Sequence, residues 1–170
     1  MRPIVVISRC IDFDSCRYNG QVIRASLRNE LEPYVDFRPI CPELEIGLGV
    51  PRDPVNLVHA PGGPRIVQPS TGRDLTDAMH GFAACFLDSL EAVDGFILKS
   101  RSPSCAIRDG KVFRSDAEGA GHDPGPGLFA AAVLERFPDV PIEDEARLAD
   151  ERLRRSFLTE VFARAATRSR

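Results

Sequence analysis

The chain has 170 residues, of which 43% are hydrophobic and 28% charged, and these values suit one globular domain with a substantial core. A formal net charge of −3 gives no general attraction to nucleic acid, and no apolar run approaches the roughly 20 residues that span a bilayer. No secretory signal is recognisable, so we expect a cytoplasmic protein without a membrane partner.

The first half of the chain alternates short apolar runs with polar or helical segments. Residues 3–8 form a β-branched run without alternation, which predicts a strand buried on both faces. Residues 21–34 carry apolar side chains at helical spacing and are predicted to be mostly helix, followed by a strand at residues 35–40. Residues 55–59 and 65–69 flank a Pro-Gly-Gly-Pro turn and are predicted to form a hairpin or two edge segments.

The second half continues the alternation of helices and strands. Residues 100–126 are rich in Gly, Ser and Asp and are predicted to be one long loop, functional or mobile. The pattern predicts an α/β, Rossmann-like fold with a mainly parallel sheet, helices on both faces and a single domain over residues 1–170. The other predicted elements are a helix that follows residues 71–74 and runs to about residue 91, a strand at 95–99, a helix at 127–136, a short strand at 140–143 and a terminal helix at about 150–168.

Three of the five cysteines, Cys10, Cys41 and Cys105, follow predicted strands. Ligands bind at the carboxyl ends of strands in an open parallel sheet, so these thiols are predicted to meet. Three thiols that leave one position open indicate a metal or iron–sulfur site that performs chemistry. The alternative is that each is a small buried hydrophobe, since the chain has no Cys-x-x-Cys pair. Cys85 is expected to pack in the core, whereas Cys16 fits either role.

Several short motifs occur in order along nearly the whole chain. Cys-Pro-Glu, followed by Gly-x-Pro-Arg and then by Ser-Pro-Ser-Cys, forms a combination that is specific enough to indicate a family. The motifs are Cys10 with Cys16-Arg17-Tyr18-Asn19-Gly20, Cys41-Pro42-Glu43 with Gly49-Val50-Pro51-Arg52, Ser102-Pro103-Ser104-Cys105, and Gly127-Leu128-Phe129-Ala130-Ala131 with Arg136-Phe137-Pro138. The chain resembles the bacterial thiouracil desulfurase (TudS-like) family, a former domain-of-unknown-function family. Longer relatives have a second, helical domain, which we expect to be absent from this chain.

The resemblance implies a 4Fe-4S cluster held by Cys10, Cys41 and Cys105, with an open iron that takes the sulfur of the substrate. The implied reaction is the non-redox conversion of a thiouracil to uracil and sulfide. The expected partner is a small thiolated nucleobase, and the expected assembly is a monomer or homodimer. Two alternatives stay open: a desulfidase acting on thiouridine in tRNA, against which the net charge of −3 weighs, and a non-catalytic metal- or sulfide-binding module.

The same motifs suggest roles for polar residues near the cysteines. Glu43 is the predicted catalytic base for a water, with pairing to Arg52 as the structural alternative. Ser102 is the second predicted catalytic residue and would relay a proton, although either serine of the motif could simply form a turn hydrogen bond. Ser104, Lys99 and Arg52 are the predicted substrate-binding residues, and Ser104 also fits a role in ordering the loop of Cys105.

Two departures from the family pattern bear on the substrate. Residues 11–14 read Ile-Asp-Phe-Asp where relatives have Leu-Leu-Gly, and the added carboxylates of Asp12 and Asp14 are expected to alter substrate shape or cluster charge. Ala106 stands where relatives usually have glycine, which is expected to restrict the backbone near the cluster. The three histidines fall outside the shared motifs and are interpreted as structural or solvent-exposed.

Overall fold

A computed structural model describes residues 2–168 and has a four-stranded, fully parallel sheet at its centre. Its strands are β1 (Ile4–Ser8), β2 (Asp36–Ile40), β6 (Gly95–Leu98) and β9 (Ile142–Asp144). Their order in the sheet is β2-β1-β6-β9. The chain runs from β1 to one side and later returns on the other side, so the strand order reverses between β1 and β6. Such a reversal opens a crevice at the carboxyl ends of the strands.

Helices cover both faces of this sheet, which confirms the predicted α/β fold. Alternate residues of each strand point to opposite faces, so Val6 and Phe96 pack in one apolar cluster while Val5 and Ile97 pack in another. The first cluster includes side chains of α3 and α4, and the second includes side chains of α1 and α5. The helices are α1 (Leu27–Leu31), α2 (Pro42–Glu45), α3 (Thr76–Asp88), α4 (Leu128–Arg136) and α5 (Glu151–Arg168), with a 3₁₀ turn at Arg147–Ala149.

A second, five-stranded sheet has the order β5-β4-β3-β7-β8. Its β3 and β4 pair antiparallel, which confirms the predicted hairpin. The prediction of one loop over residues 100–126 is wrong, because β7 and β8 form a second antiparallel hairpin there. Pro124 lies in β8, and a proline is tolerated there because β8 is an edge strand. The strands are β3 (Asn56–Val58), β4 (Arg65–Gln68), β5 (Arg73–Asp74), β7 (Gly110–Phe113) and β8 (His122–Gly125).

The predicted helix over residues 21–34 is reduced to the five residues of α1. Ile23 instead forms a parallel bridge with Ile11, and its amide donates to the Cys10 carbonyl at 2.7 Å. The Asp12 carboxylate accepts from the amides of Ala25 and Ser26 at 2.7 and 3.1 Å. These long-range bonds hold residues 21–26 out of the helix despite their helical apolar spacing.

Cys85 does not pack in the core, and that expectation is wrong. The buried positions of α3 are Met79, Ala83 and Leu87, which recur every four residues along one face. Cys85 lies between the last two of them in sequence and is exposed on the opposite side of the helix.

No helix within residues 2–168 combines the length and the apolar character needed to cross a membrane.

Candidate active site

A cavity of about 290 Å³ opens at the carboxyl ends of β1, β2 and β6. Its volume is close to the lower limit of about 300 Å³ for small-molecule sites. Parallel strands and the reversal of strand order place the loops after these three strands around one crevice. The lining side chains that carry chemistry are Cys10, Cys16, Cys41, Cys105, Glu43, Ser102, Ser104, Lys99 and Arg52.

Four cysteines line the cavity. Cys10 follows β1 and is half-buried, whereas Cys16, Cys41 and Cys105 are buried. Cys41 immediately follows β2, and Cys105 lies in the loop after β6. The structure therefore brings the three cysteines at strand ends into one cavity and adds Cys16 to them, while the exposed Cys85 does not line it.

The buried thiols are held in their neutral form. The Cys16 thiol is hydrogen-bonded to the thiols of Cys10 and Cys41, and the bond with Cys10, together with burial, raises the pKa of Cys16 to about 11. Burial raises the pKa of Cys105 to about 12. The hydrogen bond with Cys16 and then burial raise the pKa of Cys41 as well. Because metals bind thiolates, metal loading would release protons from this site.

The cysteines of this cavity are donors of the kind that an iron–sulfur cluster takes. Within residues 2–168, no three His, Cys, Asp or Glu side chains are arranged to hold one metal ion. Ligands of a cluster bind different iron atoms, so their sulfur atoms do not have to converge on one point. Thiolates are the usual ligands of such clusters. Cys10, Cys41 and Cys105 could hold the cluster, with Cys16 as a fourth thiol beside them.

Glu43 projects from α2 and not from an extension of β2, which ends at Ile40. Pro42 occupies the first helical position and starts the helix directly after Cys41. The Glu43 carboxylate pairs with the Arg52 guanidinium, with Oε2 at 2.7 Å from Nη2 and 2.9 Å from Nε. Its Oε1 accepts from the Ser104 hydroxyl at 2.9 Å. Both oxygens are therefore fixed in direction at the cavity wall.

Arg52 joins several loops around the site. Its side chain is only 5% exposed, and its Nη1 donates to the carbonyls of Cys16 and Gly49 at 2.9 and 2.8 Å. Together with the pairing to Glu43, these bonds orient the catalytic candidate and hold the segment of Cys16. A direct contact of Arg52 with substrate remains a prediction.

The two serines of the Ser-Pro-Ser-Cys motif make different contacts. The Ser102 oxygen accepts from the amides of Ser104 and Cys105 at 3.2 and 3.0 Å, which turns the loop that carries Cys105. Its hydroxyl is also hydrogen-bonded to the Cys105 thiol. Ser104 is buried and donates to Glu43. Ser102 therefore orders the loop of Cys105, whereas Ser104 contacts the Glu43 carboxylate.

Lys99 is bound to a carboxylate that the sequence analysis did not identify. Its Nζ lies 2.5 Å from Oε1 of Glu145, and it also donates to the carbonyl and hydroxyl of Ser100 at 2.7 and 3.0 Å. Glu145 follows β9, the strand next to β6, and it also accepts from the Ser100 amide at 2.8 Å. The signal that was overlooked is an acidic residue at the carboxyl end of an adjacent parallel strand.

Of the departures from the family pattern, Asp12, Asp14 and Ala106 lie outside the lining of the cavity. Asp12 binds backbone amides before and within α1 and does not line the cavity. Asp14 is also outside the lining, although its charge contributes to the raised pKa of Cys16. Ala106 adopts no left-handed conformation, and its amide donates to the Ser102 carbonyl at 3.1 Å. Alanine adopts this conformation without strain, and the effect of losing glycine at this position stays a prediction. His59, His80 and His122 are exposed, as interpreted from the sequence.

The fold agrees with the comparisons to known proteins. Residues 5–145 match the 2-thiouracil desulfurase family model, and the chain belongs to this family. A solved structure of a 4Fe-4S-dependent thiouracil desulfidase, TudS, is similar to the chain with a TM-score of 0.66 and 25% identity, covering 91% of this chain and 99% of that one. The uncharacterized protein YbbK of Bacillus subtilis (strain 168) is 29% identical over 149 residues, covering 84% of this chain and 97% of YbbK.

Proposed function

We propose that the protein is an iron–sulfur-dependent desulfidase that converts a thiolated pyrimidine, such as thiouracil, to the oxygen-containing base and sulfide. The proposal rests on one observation in particular: a fixed carboxylate, Glu43, lies in the same small cavity as four cysteines. Membership of the 2-thiouracil desulfurase family and the likeness to TudS support it. Five thiols favour a reducing compartment, so the proposed location is the cytoplasm.

The proposed cofactor is a 4Fe-4S cluster held by Cys10, Cys41 and Cys105. When bound, it would supply a soft Lewis acid suited to a thiocarbonyl sulfur. The overall reaction consumes one water and releases one hydrogen sulfide for each C=S group replaced by C=O. Atoms and electrons balance without an external oxidant or reductant, so the protein has only to position the water and move protons.

Glu43 is the proposed base that accepts a proton from the attacking water. Arg52 and Ser104 hold its carboxylate in one direction, which reduces the reorganisation needed when the water is deprotonated. Ser102 is the proposed proton donor, since its hydroxyl lines the cavity beside the Cys105 sulfur and is held in place by two amides. Ser104 and Lys99 are proposed to shape the base-binding wall, and Arg52 to contribute positive charge.

The first test is Glu43→Gln in anaerobically reconstituted protein. We expect about four iron and four sulfide per chain to be retained, while turnover of thiouracil falls about 10²- to 10⁴-fold because the water loses its base. Substrates to compare are the free base, the nucleoside and a thiouridine-containing tRNA. Cleavage of the tRNA alone would favour the RNA alternative, and cluster binding without turnover of any substrate would favour a binding module.

The matched control is Glu45→Gln, which changes a carboxylate on the same helix that pairs with Arg9 and does not line the cavity. It should keep turnover within about twofold, because exposed ion pairs contribute little. Because Glu43→Gln leaves Arg52 without its charge partner, Ser102→Ala is measured as a second variant that preserves this pair. Normal turnover by a cluster-loaded Glu43→Gln would remove Glu43 as the base.

A further inference from the structure

Cys16 is a buried cysteine that the proposed three-ligand site does not use. It lies six residues after Cys10 in the same loop, and both side chains line the cavity beside Cys41, whose thiol donates to the Cys16 carbonyl at 3.9 Å. Its carbonyl is held by Arg52 at 2.9 Å, so the backbone of Cys16 is fixed beside the cavity. A cysteine that only fills the core would not need to face a cavity that three other cysteines line. The arrangement instead resembles a pair of thiols that is ready to cross-link.

We propose that Cys16 is an oxidation site that closes the metal-free cavity through a reversible disulfide with Cys10. The proposed oxidant is a peroxide. The half-buried Cys10 sulfur attacks the peroxide, the O–O bond breaks, and Cys10 becomes a sulfenic acid while the peroxide leaves as water or an alcohol. The Cys16 sulfur then attacks the Cys10 sulfur and displaces water. The two thiols lose two electrons and the peroxide gains two.

Two observations favour Cys10 over Cys41 as the partner of Cys16. Cys10 is the more exposed of the two sulfurs and meets a dissolved oxidant first, whereas Cys41 is buried. Cys10 and Cys16 also belong to one irregular loop, so a disulfide can form by a local adjustment. Cys41 is tied to the end of β2 and the start of α2, which restrict its movement.

The disulfide would have two consequences for the site. It would remove Cys10 from the proposed ligand set, so an oxidised chain could not take up a cluster until a thiol reductant opened it. It would also stop oxidation of Cys10 at a reversible stage, before the irreversible sulfinic and sulfonic acids form. These consequences rest on the proposed ligand role of Cys10. The disulfide itself is measured in metal-free protein and does not depend on desulfidase activity.

The test treats the full-length, metal-free protein with an equimolar amount of hydrogen peroxide, then blocks free thiols with iodoacetamide. Trypsin releases residues 10–17 as one peptide that contains both Cys10 and Cys16. We expect this peptide to carry no alkyl group and to be two hydrogen masses lighter than its reduced form. Dithiothreitol should restore both alkylation and iron uptake. A doubly alkylated peptide 10–17, or a cross-link of Cys16 to the peptide of Cys41, would overturn the proposal.

Two variants separate this role from a purely structural one. Cys16→Ser should form no disulfide in peptide 10–17. After treatment with several molar equivalents of peroxide its iron uptake should not recover with dithiothreitol, because the Cys10 sulfenic acid lacks its thiol partner and consumes further peroxide to reach the irreversible acids, whereas the wild type should recover. Cys85→Ser is the matched control, since Cys85 is exposed on α3 and should leave the oxidation of peptide 10–17 unchanged. Full recovery of iron uptake by peroxide-treated Cys16→Ser would contradict the protective role. If Cys16→Ser does not fold, the peptide mass of the wild-type chain still decides the question.

Discussion

At the scale of single residues, the loop that carries Cys105 depends on a close contact with Gly127. A Cβ at this position would lie 2.4 Å from the Ser104 carbonyl carbon and 2.5 Å from its oxygen. The Gly127 amide donates to the Ala106 carbonyl at 2.8 Å, so the contact joins the start of α4 to the motif loop. Only glycine permits this approach of two backbone segments.

We therefore expect Gly127→Ala to lower the free energy of unfolding by about 1–3 kcal/mol, because the loop or α4 must move to relieve the overlap. It should also reduce iron uptake, since the segment of Cys105 shifts. Urea unfolding and iron content after reconstitution measure both effects. The control is Gly81→Ala within α3, where a Cβ meets no atom within 4 Å and should stabilise the helix by about 0.5–1 kcal/mol. Unchanged stability of Gly127→Ala would show that the loop adapts freely.

Chain order was enough to predict that Cys10, Cys41 and Cys105 face one cavity, because the carboxyl ends of parallel strands lie on the same side of the sheet. It left the position of Cys16 open. It could not predict that Glu43 binds both Arg52 and Ser104, since this requires three loops in their folded positions. The burial of Cys85 was predicted wrongly because its helix is apolar on more than one side, and the spacing of cysteine alone does not identify the core-facing side.

At the scale of secondary structure elements, the end of β9 contains a carboxylate whose ionisation opposes folding. Asp144 is buried, and burial raises its pKa, with a further contribution from neighbouring Glu145. Its Oδ1 accepts from the Arg147 amide at 2.8 Å, which starts the 3₁₀ turn. When the folded-state pKa of an acid is raised, its charged form is the destabilising one, so this cost appears as pH rises through that pKa.

Asp144→Asn should therefore be more stable than the wild type at neutral pH, because asparagine keeps the acceptor and removes the charge. The advantage should shrink at about pH 4, near the ordinary pKa of aspartate, as the wild-type carboxyl also becomes neutral. Urea midpoints of both proteins at the two pH values measure the difference. An effect of the same size at both pH values would show that the charge of Asp144 is not its source.

The elements that were predicted incorrectly share one cause, which is long-range bonding that overrides local pattern. The apolar spacing of residues 21–34 is helical, yet the bridge between Ile11 and Ile23 and the carboxylate of Asp12 hold the first part extended. Residues 100–126 have loop composition, yet β7 gains partners from both β3 and β8. Buried strands and amphipathic helices without such competition, including β1, β6 and α5, were predicted within two residues of their ends.

At the scale of the whole molecule, α5 is bound to the sheet at the amino ends of the parallel strands, opposite the cavity. Phe157 and Val161 pack against one face of the sheet, and Arg168 pairs with Asp94 at 2.7 Å. Asp94 is fully buried and also accepts from the Ile4 amide at 2.8 Å, while its Oδ1 has no hydrogen-bond partner among residues 2–168. This buried charge depends on Arg168 for its compensation.

Arg168→Ala should lower the free energy of unfolding by about 1–3 kcal/mol, because it leaves the Asp94 carboxylate buried with little compensation. Thermal and urea unfolding measure the loss. Arg152→Ala is the control, since this side chain is 91% exposed near the start of α5 and should change stability by less than about 0.5 kcal/mol. Equal effects of the two substitutions would mean that the pair with Asp94 contributes no more than a surface contact.

The contacts of Arg168 and Ile4 with Asp94 also show which part of the protein is suited to attachment to a support. The beginning of β1 and the last described turn of α5 lie at the amino ends of the parallel strands. The cavity opens at their carboxyl ends, a strand length of roughly 16 Å away. An affinity tag, a fusion partner or an electrode linker joined through either region would leave the cysteine-lined opening directed toward solution. Immobilised protein should therefore admit small molecules as readily as free protein does.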